Sequence, residues 1–157
     1  MQVLKKVFIV ILSIPVIIIG LFIIFEIFGM IVNHAAAGIQ TRKLANTVKE
    51  IDGLEIMDTY SETGNISGTG NHVDMRTILI VRTDKGILSL QECLKEYADM
   101  DEWSFQIEKL SDVKKAHKEY GYLSRVYDIL KIPDEDEECF LIYYMDSAPF
   151  ADNIEGH

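Results

Sequence analysis

Residues 7–25 (VFIVILSIPVIIIGLFIIF) contain no charged side chain, and only Ser13, Pro15 and Gly20 interrupt their aliphatic and aromatic character. As a helix rising ~1.5 Å per residue this run extends about 28 Å, close to the ~30 Å hydrocarbon core of a bilayer. Apolar side chains resume after Glu26 with Ile27, Phe28, Met30, Ile31 and Val32, so a single transmembrane helix is expected over 7–32. Pro15 is compatible with it, because membrane helices re-satisfy the backbone groups that a proline frees. Glu26 costs little at the outer interface; deeper in the lipid it would mark a partner helix or an ion path.

A cleaved signal peptide is the competing reading. Lys5 and Lys6 form a basic start, and Ala35, Ala36, Ala37 and Gly38 are small residues of the cleavable kind. Signal cores run to about 7–15 residues, so the length favours a retained anchor. Lys5 and Lys6 abut the apolar run, whereas Arg42 and Lys43 lie about ten residues beyond it; the positive-inside rule then puts residues 1–6 in the cytoplasm and everything after the anchor outside. The expected organisation is a cytoplasmic tail (1–6), the transmembrane helix (7–32), a helical stalk (33–53) and an extracytoplasmic domain (54–157), in a single-pass protein of the cell membrane.

Beyond the apolar run lie 13 of the 15 bases and 24 of the 25 acids, a formal charge of −11. That surface repels phosphate backbones and anionic headgroups, which argues against nucleic acid and peripheral lipid as partners. Cys93 and Cys139 are candidates for one disulfide in an oxidising compartment, but their apolar neighbours equally suit two buried thiols.

Helix formers over 35–51, with Leu44, Val48 and Ile51 on one face, end at Asp52-Gly53. Strands are expected over 54–60, 75–83, 103–107 and 139–145, the second with high β-branched content. Ser89 and Glu92 have capping-box spacing for a helix carrying Leu90, Cys93, Leu94 and Tyr97 that ends near Asp99. Ser111 opens another helix, which Gly121 terminates. Over 123–132 the helical spacing of Leu123, Val126, Tyr127 and Leu130 competes with β-branched content, and a strand is preferred. Pro133 and the acidic residues 134–138 read as a solvated connection, and 146–157 as irregular. The sum is an α+β protein: an N-terminal transmembrane helix, then one small domain with a four- or five-stranded, mostly antiparallel sheet and two or three helices shielding one face. Ile78, Ile80, Leu94, Tyr97, Trp103, Phe105, Ile107, Phe140, Ile142 and Tyr144 are the candidate core.

The segment 61–74 (SETGNISGTGNHVD) is the most unusual in the chain. Its three glycines, with Asn, Ser and Thr, suit left-handed turns and bare N–H groups, as in anion-binding nests. It is not a phosphate loop, having no Gly-Lys-Ser/Thr ending and no helix after it. A plain connection and a contact surface are both open readings, and Asn65, Ser67, Asn71, His72 and Asp74 are the candidate contacts. His72 and Asp74, two apart, also have the spacing of two metal ligands or of a base with its orienting carboxylate, without a third ligand at a telling distance. No nucleophile elbow, Cys-x-x-Cys, zincin motif or calcium loop occurs, and no cofactor is implied.

In its Gly-Asn-x-Ser-Gly-x-Gly-Asn-His segment, residues 64–72, and in Gly156-His157, the chain resembles uncharacterised small membrane-anchored or lipoprotein-like proteins of Gram-positive bacteria. The resemblance implies no activity. A lipobox cysteine is missing, so anchoring rests on the helix. The expected function is a non-enzymatic, membrane-tethered extracytoplasmic module that uses the loop to bind an unknown protein or small ligand. A small metal-dependent enzyme or hydrolase centred on His72 and Asp74, and a helical subunit of a membrane complex using Glu26, are the alternatives.

Overall fold

The computed structural model describes the whole chain except Met1, Asp99, Glu102, Tyr122 and residues 134–137, so most of the expected acidic connection lies outside the described residues. One helix, α1, runs from Gln2 to Lys49 through Pro15. At ~1.5 Å per residue it is about 72 Å long. In its most apolar stretch no residue is covered by the rest of the chain, and side chains such as Phe8, Val16 and Leu21 are more than half exposed. It is long and apolar enough to cross a membrane.

From Phe25 onward one side of α1 is occupied. Glu26, Gly29, Asn33, Ala37, Leu44 and Val48 recur at helical spacing and are all buried. The stretch expected as a stalk is therefore part of the domain, with Leu44, Ala45 and Val48 in its main core cluster.

The sheet is four-stranded and antiparallel throughout, in the order β1-β2-β4-β3: β1 Glu55–Gly64, β2 Asp74–Arg82, β3 Phe105–Lys109 and β4 Cys139–Ser147. β2 and β4 are central and nearly continuous in apolar residues, as strands buried on both faces must be. α1, α2 (Ile87–Cys93) and α3 (Lys95–Ala98) cover Leu79, Val81, Phe105, Ile107, Phe140 and Ile142 on one face. α4 (Leu110–Tyr120) and α5 (Ser124–Tyr127) cover Ile78, Ile80, Cys139 and Leu141 on the other. Helices thus shield both faces, where the sequence suggested one. A register shift between Ile56 and Asp58 lets β1 follow the twisted edge of β2.

Several local expectations are corrected. Residues 123–132 hold no strand among the described residues: Val126 and Leu130, one helical turn apart, bury themselves beside Leu110 and Val113, so the helical spacing prevails. Trp103 is 73% exposed rather than in the core. The Asp101 carboxylate accepts from the backbone N–H groups of Trp103 and Ser104 and from the Ser104 hydroxyl, making a turn that delays β3 to Phe105 and turns the indole outward. Those bonds, the hydroxyl first, hold the Asp101 carboxyl below its usual range. Neither Ser89 nor Ser111 caps its helix; α2 starts after Gly86 and α4 after Lys109 without a side-chain cap. Gly121 ends α4 as expected, in the left-handed conformation at φ 68°.

Residues 148–157 fold back on α1. Asn33, fully buried, treats Phe150 as a strand neighbour would: its Nδ2 donates to the Phe150 carbonyl (3.1 Å) and its Oδ1 accepts from the Phe150 N–H (3.0 Å). Asn153 Nδ2 donates to the Glu26 carbonyl (2.8 Å), and the Glu26 carboxylate accepts from the Ile154 N–H (2.8 Å). The Phe150 ring meets Phe25 and Phe28 edge-on. Gly29 makes room, since a Cβ there would lie 2.4 Å from Asn153 Nδ2.

Asn33→Asp is isosteric, yet it turns a donor into an acceptor facing the Phe150 carbonyl and the Glu155 carboxylate. A loss of about 2–3 kcal/mol is expected from the unmade bonds. Thermal melts with limited proteolysis check this: the variant melts lower and is cut first within 148–157, and an unchanged melt counts against the role given to Asn33.

Candidate functional site

β1 reaches further than the sequence suggested, to Gly64, so the loop shrinks to residues 65–73. It crosses over residues 148–157 and is tied to them. Asn65 Nδ2 donates to the carbonyls of Gly70 (2.6 Å) and Gly156 (3.1 Å). Val73 exchanges backbone bonds with Ala151 and Ala148, at 2.8 and 2.9 Å. Gly156 lies against the backbone of His72, where a Cβ would come within 3.0 Å of three main-chain atoms, so only glycine fits. Gly68 and Gly70 have open space around them but φ of 67° and 103°, which other residues rarely adopt.

Glu155, from the folded-back segment, joins three elements. It accepts from Thr63 of β1 (3.1 Å) and from Asn33 of α1 (3.3 Å), and its carboxylate lies 2.8 Å from His34 Nε2. The loop, the last residues and the upper end of the apolar run are therefore one connected polar cluster.

Where the loop meets β2, Ser67, His72 and Asp74 converge. The Ser67 N–H donates to Asp74 Oδ2 (2.9 Å), and Asp74 Oδ1 lies 3.6 Å from His72 Nε2. Ser147 at the end of β4, which sequence reasoning missed, is the fourth member, its hydroxyl 3.1 Å from the same His72 nitrogen. Asn65 and Asn71 are both exposed, the Asn65 amide being tied to the Gly156 carbonyl. Asp74 is buried at its side chain, His72 about a third exposed.

This geometry limits the chemistry. A base with an orienting carboxylate uses both ring nitrogens, one toward each partner. Here the serine and the carboxylate share Nε2, so His72 is not set up as a relay. No third His, Cys, Asp or Glu joins the pair among the described residues to complete a metal site. The arrangement instead stiffens a polar surface from which Ser67, Thr69 and Asn71 project.

Beside it Arg76 pairs with Glu62 and lies 6.0 Å from the Tyr143 ring centroid, while the Tyr60 hydroxyl donates to Glu62 (2.8 Å). Burial, and next Glu62, push the Tyr60 hydroxyl above its ordinary pKa; burial does the same to Tyr143 against the pull of Arg76. Both phenols stay neutral hydrogen-bonding groups at neutral pH.

The cysteines are far apart in environment. Cys93 is exposed on α2, Cys139 is buried under the opposite face of the sheet, and no disulfide joins them. Asn33 was missed, and Glu26, expected at the lipid interface or facing another helix, is engaged by the chain's own last residues; the signal for the two together was a seven-residue spacing of polar groups on an otherwise apolar helix face. No protein-family model matches the chain, and comparison with characterised proteins and with solved structures gives no match.

Asp74→Ala removes the acceptor that organises Ser67 and is expected to cost about 1.5–3 kcal/mol. His72→Ala, at a partly exposed ring, should stay within about 0.5 kcal/mol. Urea melts of the two variants test this ordering, and equal losses would contradict it.

Proposed function

We propose that the chain is a non-enzymatic binding module, held outside the cytoplasm on a single membrane-spanning helix, with the loop 65–73 as its contact surface. The observation that carries this reading is the apolar stretch of α1, left bare on every side by its own chain and gripped by the domain from Phe25 onward. An uncovered surface of that size belongs in lipid. The grip sets the loop at the end of the domain nearest the lipid, with its backbone tied down and its polar side chains outward. Glu26, which a subunit helix would offer to a neighbouring helix, is engaged within the chain. The partner is an unidentified protein or small ligand that accepts hydrogen bonds from, and donates them to, Ser67, Asn71 and His72.

Cys93 supplies a native reporter of topology. A membrane-impermeant maleimide should label it on intact cells, and the protein should stay with the membrane in carbonate. Labelling only after permeabilisation reverses the orientation; release by carbonate removes the anchor.

The contact surface is tested by a photo-crosslinking residue at Asn71, compared with one at exposed Glu119 on α4. Adducts are expected from Asn71 alone and should fall at least about tenfold with His72→Ala, the loss of about 1.4 kcal/mol. Equal adducts from both positions, or none from Asn71, would make the loop a spacer.

A further inference from the structure

The charge-free run of α1 ends at Phe25 after about 28 Å, and the headgroup layer beyond the hydrocarbon core adds only ~5–8 Å on that side. Glu26 lies ~1.5 Å past that end, Gly29 ~6 Å and Asn33 ~12 Å. This is the stretch that the folded-back residues grip. Asn153 and Ile154 bond to Glu26, Phe150 bonds to Asn33, and the Phe150 ring meets Phe25 and Phe28. A leaning helix reaches less far along the bilayer normal, which draws the same level further in. We infer that residues 148–157 are a second membrane contact: Phe150 and Ile154 meet the outer leaflet of a zwitterionic bilayer beside Phe25 and Phe28. The inference rests on the single-span reading given above.

The first reason is an inverted pattern of burial. Asn153 is 1% exposed, while its neighbour Ile154 is 55% exposed. Singly exposed apolar residues are common on soluble surfaces. This one stands at the level of Glu26, where Ile27, Phe28 and Ile31 of α1 are also more than half exposed. Whatever surrounds the helix at that level surrounds Ile154 too. The apolar surface is continuous with the bare span below it, and lipid is the medium that covers both.

The second reason is the backbone. Where water is scarce, a non-helical segment survives only if its polar groups are paired within the protein. Asn33 takes both main-chain groups of Phe150, Glu26 takes the Ile154 N–H, and the Asn153 side chain takes that of Glu155. The Ala151 carbonyl accepts from Val73, and the N–H groups of Gly156 and His157 donate back to Asn153 and Ile154. The lipid class follows from charge. No Lys or Arg occurs in residues 148–157, or in α1 between Lys6 and Arg42, whereas Asp152 is exposed. Anionic headgroups therefore find no basic partner here, and the contact is made through apolar side chains among zwitterionic lipids.

The test uses the full chain in phosphatidylcholine nanodiscs, with isoleucine δ1 methyls ¹³C-labelled and a lipid that carries a nitroxide near the top of its acyl chain. Ile24, 65% exposed in the span, reports the anchor. Ile129, 59% exposed, reports the domain: its neighbour Lys131 donates to Asp58, which pairs with Ile80, about 20 Å along β2 from Asp74. The nitroxide is expected to broaden Ile24 and Ile154 at least about fivefold more than Ile129, which stands beyond the headgroup layer. A water-soluble gadolinium chelate should reverse the order, broadening Ile129 more than Ile154. If Ile24 is broadened by the nitroxide and Ile154 behaves as Ile129 does, the inference is overturned and the anchor stands. If Ile24 is not broadened, the anchor falls and the inference falls with it.

Discussion

The side chain of Asn33 decides how the two halves of this chain meet. A segment laid against the flank of a helix brings its own N–H and C=O groups with it, and the helix backbone has paired its own internally, leaving no N–H to give and only the second lone pair of a carbonyl, as Glu26 offers to the Asn153 side chain. Side chains on α1 must supply the partners. Asn33 offers a donor and an acceptor to one residue of that segment, and Glu26 takes the N–H of another. The loop, the folded-back residues and the start of β2 stack on that contact in turn. The sheet itself depends less on it, because its core is closed by Leu44, Val48 and the helices farther up.

Much of the architecture was legible because periodicity and burial agree in it. β2 and β4 read as continuous apolar runs and are the central strands; Gly121 reads as a stop and is one. The misses share a physical origin. Trp103 alternates correctly with Phe105, but a single aspartate, Asp101, captures the local N–H groups and turns the chain before the strand begins. Residues 123–132 offer helical and strand patterns at once, and only the position of Leu110 and Val113 beneath them selects the helix. The two-sided cover of the sheet was hidden because it depends on where α4 is sent after β3, a question of tertiary packing.

The loop illustrates the limit of composition. Its glycines and asparagines suggested exposure, and part of it is exposed. Yet Asn65 and Gly156, ninety-one positions apart, are partners, and no pattern within the loop announces a contact of that range. Ser147 joined His72 for the same reason: β2 and β4 are neighbours in register, with Asp74 opposite Ser147.

The unbroken course of α1 has a mechanical consequence. No hinge, glycine linker or proline separates the bare apolar stretch from the part that builds the core, so on the proposed reading the domain is a rigid extension of its own anchor. A helix that leans by ~20° in a bilayer, a common tilt, would sweep its far end through about 12 Å, given some 24 residues at ~1.5 Å each above Glu26. Bilayer thickness, or a neighbouring helix that changes the lean, would thereby set the height and bearing of everything the domain carries. On that reading the protein is a pointer whose pivot lies in the lipid.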